Sequence, residues 1–332
     1  MPPHRALALL LALPVLSAAA PAPAAEAPPR RAVLRLAYAG PAASPVHAGA
    51  VHFKEAFEQA MAGRAEVQLL PPGGEGDEPA MLAELRRGAV QLAILGSGAQ
   101  VGPAAQFTAL PFLFRDPAHR RQVAEGAAGR LLARRIAEQS SLAVLAFFAG
   151  PENVVATAAG PVTRPADLRG MPFRVAVYPM LIEGVRGLGA LPVPLPPPLT
   201  VPAVRQRMVA GGQMDLQTAL DLQVYEVLPY MSLPSTPFAA ELYPVLADRR
   251  AVAALPQEVQ QTLVETLQGV ARRRFEVGEE ATARAQRELE ARGVKFAPLD
   301  QAAFREAMRP FRETAARLLK VQDLLAGIDR TR

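Results

Sequence analysis

The sequence predicts an α/β protein of two domains that share one long helix. Strand-like and helix-like patterns alternate over residues 33–95, which is the order expected of a sheet covered by helices. The chain of 332 residues is long enough for two domains of ordinary size. A stretch over residues 256–292, without an internal proline, repeats apolar side chains at helical spacing.

The first part of the chain reads as strand, helix, strand, helix, strand. Ser44 and Pro45 are suited to begin the first helix, and Gly63 is suited to end it. The predicted strands are 33–38, 66–70 and 90–95, and the predicted helices are 45–62 and 78–87, with a turn at 71–74. This order implies a mostly parallel sheet, so the loops after Tyr38 and Leu95 are expected to face a cleft.

The same alternation continues through the second part of the chain. A helix at 118–139 and a strand at 142–148 are predicted to complete the first domain, and a second α/β unit begins near Gly150. Its predicted strands are 154–157, 171–176 and 191–193, and its helices lie around 165–168 and 179–187. After the long helix, a strand at 293–296 and closing helices over 302–325 are predicted.

The long helix is predicted from apolar residues at helical steps, among them Val259, Leu263 and Leu267. At ~1.5 Å per residue, such a helix exceeds the width of an ordinary domain and is expected to brace both domains. The alternative is two helices broken at Gly269 or Gly278, because each glycine costs about 1 kcal/mol in a helix interior.

The amino-terminal residues have the pattern of a cleaved signal peptide. Arg5 precedes an apolar run over residues 6–20, which is shorter than the ~20 residues that a membrane-spanning helix needs. Ala22 and Ala24 provide a small-residue cleavage site, so residues 1–25 are predicted to be removed on export. The alternative is an uncleaved membrane anchor, which the short apolar run disfavours.

Composition argues against several functions. The chain has no cysteine, and its formal net charge of +5 comes from acidic and basic residues that are interspersed. The arginine clusters at 86–87, 120–121 and 272–274 are expected to be solvated helix faces without interleaved aromatic residues, so nucleic acid is not a predicted partner. The four histidines lack metal-ligand spacing, and no nucleophile and base pair can be assembled. No cofactor, metal or enzymatic activity is predicted.

One segment points to a binding site. Residues 167–175 end a helix, turn at Gly170 and place Arg174 on a short buried strand. Burying an unpaired guanidinium costs several kcal/mol, so Arg174 is expected to face an anion. That anion is either a structural carboxylate, such as Glu78 or Asp215, or a ligand in a cleft.

The order of short motifs along the chain resembles that of the substrate-binding proteins of TRAP transporters (tripartite ATP-independent periplasmic). The motifs are Ser44-Pro-Val-His47, Met81-Leu-x-x-Leu85-x-x-Gly88, Leu110-Pro-Phe-Leu-Phe114, Pro165-x-Asp-Leu-x-Gly170, Phe173-Arg-Val175, Leu188-Gly-Ala190, Tyr225-Glu-Val227 and Leu255-Pro-x-Glu258. The resemblance implies a monomeric, two-domain periplasmic binding protein-like fold. It closes over a small organic acid and delivers that acid to a membrane permease.

The resemblance also implies domain boundaries, with chain crossovers near residues 151, 239 and 280. Domain I would comprise residues 30–151 and 240–279, and domain II residues 152–239 and 280–332. A ligand sensor of the same fold, which presents its solute to a membrane receptor, is the alternative function. A secreted enzyme is a more distant alternative.

The resemblance implies a role for Arg174 as the main carboxylate-binding arginine. A second family arginine falls at Asn153, the family asparagine at Met214 and a ligand-covering aromatic residue at Pro197. Asn153 and Gln213 can still donate neutral hydrogen bonds, and Met214 can add an apolar contact. These departures favour a less polar monocarboxylate. The complete set of candidate ligand-binding residues is Arg174, Asn153, Met214, Gln213, Tyr38, Glu78, Ser97 and Pro197.

Overall fold

The computed structural model describes residues 31–38, 45–70, 78–96 and 101–331. The predicted signal peptide, the turn at 71–74 and Ser97 lie outside the described residues, as does most of the loop after Tyr38. Residues Arg31–Arg332 pack as one compact unit, so the division into domains I and II stays a prediction.

Ten strands form one sheet within the described residues. They are β1 (Ala32–Tyr38), β2 (Ala65–Leu69), β3 (Leu92–Ile94), β4 (Ala143–Thr157), β5 (Pro172–Val175), β6 (Leu191–Pro194), β7 (Gly211–Met214), β8 (Tyr230–Ser232), β9 (Ala239–Ala247) and β10 (Lys295–Ala297). The order along the sheet is β2-β1-β3-β9-β4-β7-β5-β6, and β8 joins β4 to β10. We call β2, β1, β3, β9 and the start of β4 the first half of the sheet, and the remaining part the second half.

The prediction of a mostly parallel sheet is wrong, because β9 enters the sheet between β3 and β4 and runs antiparallel to both. β4 is also antiparallel to β7 and β8. Parallel pairing is confined to β1 with β2 and β3, to β5 with β6 and β7, and to β8 with β10 among the described strands. The sheet is therefore mixed.

A second correction concerns β4. Two separate strands were predicted, with a domain boundary near Gly150, but one strand of 15 residues runs from Ala143 to Thr157. Its register with β9 shifts between Ala149 and Glu152. Pro151 cannot donate a ladder hydrogen bond, so the Gly150-Pro151 pair forms a bulge inside the strand instead of ending it.

Twelve α-helices cover the sheet within the described residues. They are α1 (Pro45–Met61), α2 (Glu78–Arg86), α3 (Pro103–Phe107), α4 (Pro117–Glu125), α5 (Ala127–Ser140), α6 (Pro179–Gly187), α7 (Thr200–Arg205), α8 (Leu216–Asp221), α9 (Arg249–Ala253), α10 (Gln257–Ala291), α11 (Gln301–Leu318) and α12 (Gln322–Arg330). The single helix predicted at 118–139 is two helices, α4 and α5. Gly126 has extended backbone between them, where a Cβ would lie 2.6 Å from the Gln122 carbonyl oxygen.

The long helix is confirmed as one continuous element of 35 residues. Leu263 and Leu267 pack with the first half of the sheet, while Ala285 and Leu289 pack with the second half. Among the described residues, no atom outside the helix lies within 4 Å of a Cβ built at Gly269 or Gly278. Neither glycine breaks the helix, because packing against both halves of the sheet stabilises it.

Candidate functional site

Arg174 lies in the middle of β5 and is only 2% exposed. Its Nε donates to the Leu195 carbonyl oxygen at 2.8 Å, and its Nη1 donates to the Gln213 carbonyl oxygen at 2.8 Å. Leu195 follows β6 and Gln213 lies in β7, so the neighbouring strands on both sides hold the guanidinium. Two neutral carbonyl groups fix the plane of the side chain.

The local sequence explains how β5 can bury an arginine. Phe173 and Val175 both belong to the apolar core on one face of the strand, so alternation directs Arg174 to the other face. There it lies opposite Gly212 of β7. A Cβ at Gly212 would approach the Arg174 Cβ to 2.9 Å, so glycine leaves the room that the long side chain needs.

The two candidates next to Gly212 occupy different environments. Met214 packs in an apolar core with Leu216 and Leu289. Gln213 is 2% exposed, and its side-chain Oε1 has no hydrogen-bond partner among the described residues. Strand alternation places these two side chains on opposite faces of β7. Met214 therefore shares the face of Gly212 and Arg174, whereas the unused polar capacity of Gln213 lies on the face of Phe173 and Val175.

Asn153 and Pro197 complete the candidates from the second half of the sheet. Asn153 is buried in β4, directly after the bulge, and its carbonyl accepts from the Phe238 N–H at 2.8 Å. Pro197 is half-buried and begins a short 3-10 turn, two residues after the Leu195 carbonyl that holds Arg174. Asp215 caps α8, where it accepts from the Thr218 amide at 2.9 Å and the Thr218 hydroxyl at 2.6 Å.

Tyr38 and Glu78 lie at the ends of elements in the first half of the sheet. The Tyr38 hydroxyl lies 2.7 Å from His47 Nδ1, and burial raises the pKa of Tyr38. Glu78 begins α2 and accepts from the Gly96 N–H at 2.7 Å, directly after β3. These contacts hold both side chains at the carboxyl ends of β1 and β3, as the parallel part of the sheet predicts.

A contact at Gly96 joins the two halves of the sheet. A Cβ placed there would lie 2.9 Å from Glu78 Oε1 and 3.2 Å from the Tyr178 hydroxyl. Tyr178 precedes α6 in the second half, four positions after Arg174. Sequence reasoning missed this tyrosine, although its place just beyond the end of β5 is the signal that could have found it.

The structure also corrects the expectation of solvated arginine faces. Arg120 and Arg274 are 2% and 6% exposed. Arg120 Nη2 lies 2.7 Å from Glu152 Oε1, and its Nη1 donates to the Gly150 carbonyl at 2.9 Å. Burial raises the pKa of Glu152 and lowers that of Arg120, against their mutual attraction. A charged pair thus lies beneath the bulge of β4.

Two further observations concern the described residues alone. No helix among them combines the length and the apolar character needed to cross a bilayer. Over residues 31–38, 45–70, 78–96 and 101–331, no cluster of histidine, aspartate and glutamate side chains is arranged to hold a metal ion.

Comparisons with known proteins point in one direction. The chain is 27% identical over 237 residues to the 2,3-diketo-L-gulonate-binding periplasmic protein YiaO of Escherichia coli (strain K12), covering 71% of each chain. It is 25% identical over 260 residues to the C4-dicarboxylate-binding periplasmic protein DctP of Rhodobacter capsulatus, covering 77% of this chain and 76% of that one.

Among solved structures, a TRAP periplasmic solute-binding protein of Roseobacter denitrificans with bound β-D-glucuronate shares the fold. Its TM-score is 0.78 at 23% identity, covering 90% of this chain and 100% of that one. The model of the DctP family matches residues 36–317. Since this match spans well over half of the sequence, the chain belongs to the bacterial extracellular solute-binding proteins of family 7.

Proposed function

We propose that the protein is the periplasmic solute-binding component of a TRAP-type transporter. It captures a small monocarboxylate in a cleft between two domains and delivers it to membrane permease subunits, without making or breaking covalent bonds. The observation that carries this proposal is the buried Arg174, held in one orientation by carbonyl groups of two adjacent strands. A fixed guanidinium is suited to a bidentate pair with a carboxylate.

The surroundings of Arg174 favour a ligand with one carboxylate. Position 153, where the family places a second arginine, carries a neutral asparagine, and the neighbouring Gln213 is also neutral. A second ligand carboxylate at these positions would lose its hydration and gain hydrogen bonds but no opposite charge, which is unfavourable. The relatives are named for 2,3-diketo-L-gulonate and for C4-dicarboxylates, so the residues of this chain, and not its relatives, favour one carboxylate.

The proposed domains are residues 30–151 with 240–279, and residues 152–239 with 280–332. Three features support these boundaries. The bulge of β4 lies between Ala149 and Glu152, β9 begins at Ala239, and α10 packs on both halves of the sheet on either side of residue 280. Bulges and element ends are where hinge motions are absorbed, so closure over a ligand would bend the chain there.

Native mass spectrometry of freshly purified protein would identify the bound solute. Calorimetric titration with that solute should then show that Arg174→Lys weakens binding by ~1.5–3 kcal/mol, because lysine keeps the charge but loses the planar fork. Arg169→Lys is the matched control, since Arg169 is exposed in the same segment. The solute should be recovered unaltered after incubation.

The proposal fails if Arg174→Lys and Arg174→Ala both fold normally and bind as tightly as the parent. Thermal melts of each variant establish the first condition. A trapped ligand with no carboxylate would overturn the ligand class while leaving the transport role in place.

A further inference from the structure

A second polar cavity lies among the carboxy-terminal helices. Its volume is about 540 Å³, within the range of small-molecule sites, and it is formed by α11, α12 and the residues before α4. Its inner lining includes Arg115, Arg305, Arg312, Gln301 and Asp329. Arg174 and Gln213 belong to β5 and β7 and Leu195 follows β6, so none of these residues lines the cavity.

Positive charge exceeds negative charge inside this cavity. Arg312 Nη2 lies 2.5 Å from Asp329 Oδ1, and Arg305 Nη2 lies 3.4 Å from the same oxygen. Arg115 Nη2 donates to the carbonyl of Thr331 at 2.7 Å. Two guanidinium groups therefore share a single carboxylate, and the positive charge of Arg115 acts on Arg305.

The crowding of these cations affects Arg305. Burial lowers its pKa first, and the nearby positive charges of Arg312 and Arg115 lower it further, while Asp329 opposes the shift. Its Nη1 donates to the Phe112 carbonyl at 2.9 Å, which holds the side chain in place. An added anion would relieve the repulsion among these arginines.

Two buried donors at the cavity lack partners. Arg312 is 5% exposed, and its Nε makes no hydrogen bond to the described residues. The side-chain Nε2 of Gln301 is also buried without a partner there. A buried donor left without an acceptor is costly, so an ordered water or a ligand has to supply an acceptor at both positions.

The rim of the cavity carries one arginine and two acids. Arg309 pairs with Glu306 at 2.8 Å and lies 3.7 Å from Glu313, and all three side chains are exposed. These two acids are therefore occupied by a rim arginine. The surplus positive charge remains inside, around Asp329.

We propose that this cavity is a second ligand site, which binds the carboxylate or phosphate group of a small anion. Arg305 and Arg312 supply the charge, and Gln301 and the Nε of Arg312 supply directed hydrogen bonds. The volume leaves room for an organic portion beyond the anionic group.

Titrations of the purified, exported protein test the proposal. Inorganic phosphate, acetate and citrate are the probes, compared with chloride at constant ionic strength by calorimetry and thermal melting. Binding of phosphate alone would assign a phosphate group to the ligand. Binding of acetate and citrate alone would assign a carboxylate group. At least one probe should bind and raise the melting temperature above that in chloride.

Gln301→Glu should weaken binding of that probe at least tenfold, because it places a carboxylate beside the anion. Gln301 is the first residue of α11, where an acid is compatible with the helix dipole, so this variant should fold. Arg312→Gln should have a similar effect. Arg317→Gln is the matched control, since it removes the same charge from an exposed position of α11 bonded to Thr314.

Arg174→Lys should leave these titrations unchanged, which assigns the binding to the cavity and separates it from the proposed function of the cleft. The proposal is overturned if no probe exceeds chloride. It is also overturned if Gln301→Glu binds the probe as tightly as the parent, whether or not Arg312→Gln folds.

Discussion

The guanidinium of Arg120 and the carboxylate of Glu152 form a salt bridge of 2.7 Å in which both side chains are almost completely buried. The pair links α4 to β4 directly beside the bulge, and the ring of Phe275 from α10 lies 5.5 Å from the guanidinium carbon. Two elements that continue across the proposed domain boundary, β4 and α10, therefore meet α4 around one ion pair.

Removing one member of this pair should destabilise the protein strongly. Glu152→Ala leaves Arg120 charged and buried without its partner, so we expect a loss of about 3–5 kcal/mol in the free energy of unfolding. Arg273→Ala, which removes an exposed bridge to Glu276, should cost less than ~1 kcal/mol. Urea unfolding of both variants measures the difference, and equal losses would show that the buried pair has no special role.

The geometry around Arg174 predicts that Gly212 is required for ligand binding. In Gly212→Ala, the new Cβ would meet the Arg174 side chain at 2.9 Å, so the guanidinium must shift from its two carbonyl partners. We expect at least tenfold weaker solute binding by calorimetry. Gly160→Ala is the control, because nothing lies within 4 Å of that position. Unchanged affinity in Gly212→Ala would mean that the position of Arg174 does not determine binding.

The continuity of α10 predicts opposite effects for two kinds of substitution. Leu267→Pro should destabilise the protein by about 3 kcal/mol or more, because proline removes a helix hydrogen bond from a buried turn. Gly278→Ala should stabilise it by up to ~1 kcal/mol, since the new methyl group meets no neighbouring atom. Thermal melts test both. Destabilisation by Gly278→Ala would indicate that closure needs a flexible point in the helix.

His119 predicts a loss of stability in mild acid. Its Nδ1 accepts from the Arg115 N–H at 3.0 Å, and its Nε2 donates to the Ile328 carbonyl at 3.0 Å, so the folded protein holds the neutral ring. Burial lowers the pKa of His119, and the nearby Arg115 and Arg305 reinforce this effect, while the hydrogen bond to Ile328 and the charge of Asp116 oppose it. The unfolded chain, in contrast, binds a proton below about pH 6.5.

Because the folded pKa lies below the unfolded one, the contribution of His119 to stability is present above about pH 6.5 and is lost as the pH falls towards the folded pKa. The melting temperature of the parent should therefore fall between pH 7 and pH 5 by more than that of His119→Gln. His52→Gln, at an exposed position of α1, should keep the parent profile. Identical profiles for all three proteins would contradict the prediction.

Local sequence patterns predicted the helices and strands whose bounds depend on nearby residues. The helix at 179–187 was predicted with the observed bounds, because Pro179 begins it and its apolar residues repeat at helical spacing. The strand that carries Arg174 and the long helix were also predicted. The continuity of β4 through Gly150-Pro151 was not predicted, because this pair has the local signature of a turn. Only pairing with β9, from a distant part of the chain, keeps that segment in the sheet.

The same limit applies to the candidate site, where contacts between distant parts of the chain could not be predicted. Motif order and a buried strand arginine were enough to select Arg174. The burial of Arg120 could not be predicted, because it depends on Glu152 and on carbonyl groups of β4 that only the fold brings to α4. Likewise, nothing in the sequence near Gly96 indicates that the Tyr178 hydroxyl lies beside it.

The position of β9 between β3 and β4 has a consequence for how the protein acquires its fold. Until residues 239–247 have been synthesised, β3 and β4 have no common neighbour, and the helix that covers Phe53 and Phe57 has not yet been made. Pairings between such distant segments slow folding, because the loops must close before the contacts form. For a chain whose amino-terminal residues are predicted to direct export, slow folding would prolong the unfolded state in which a polypeptide can be threaded through a membrane.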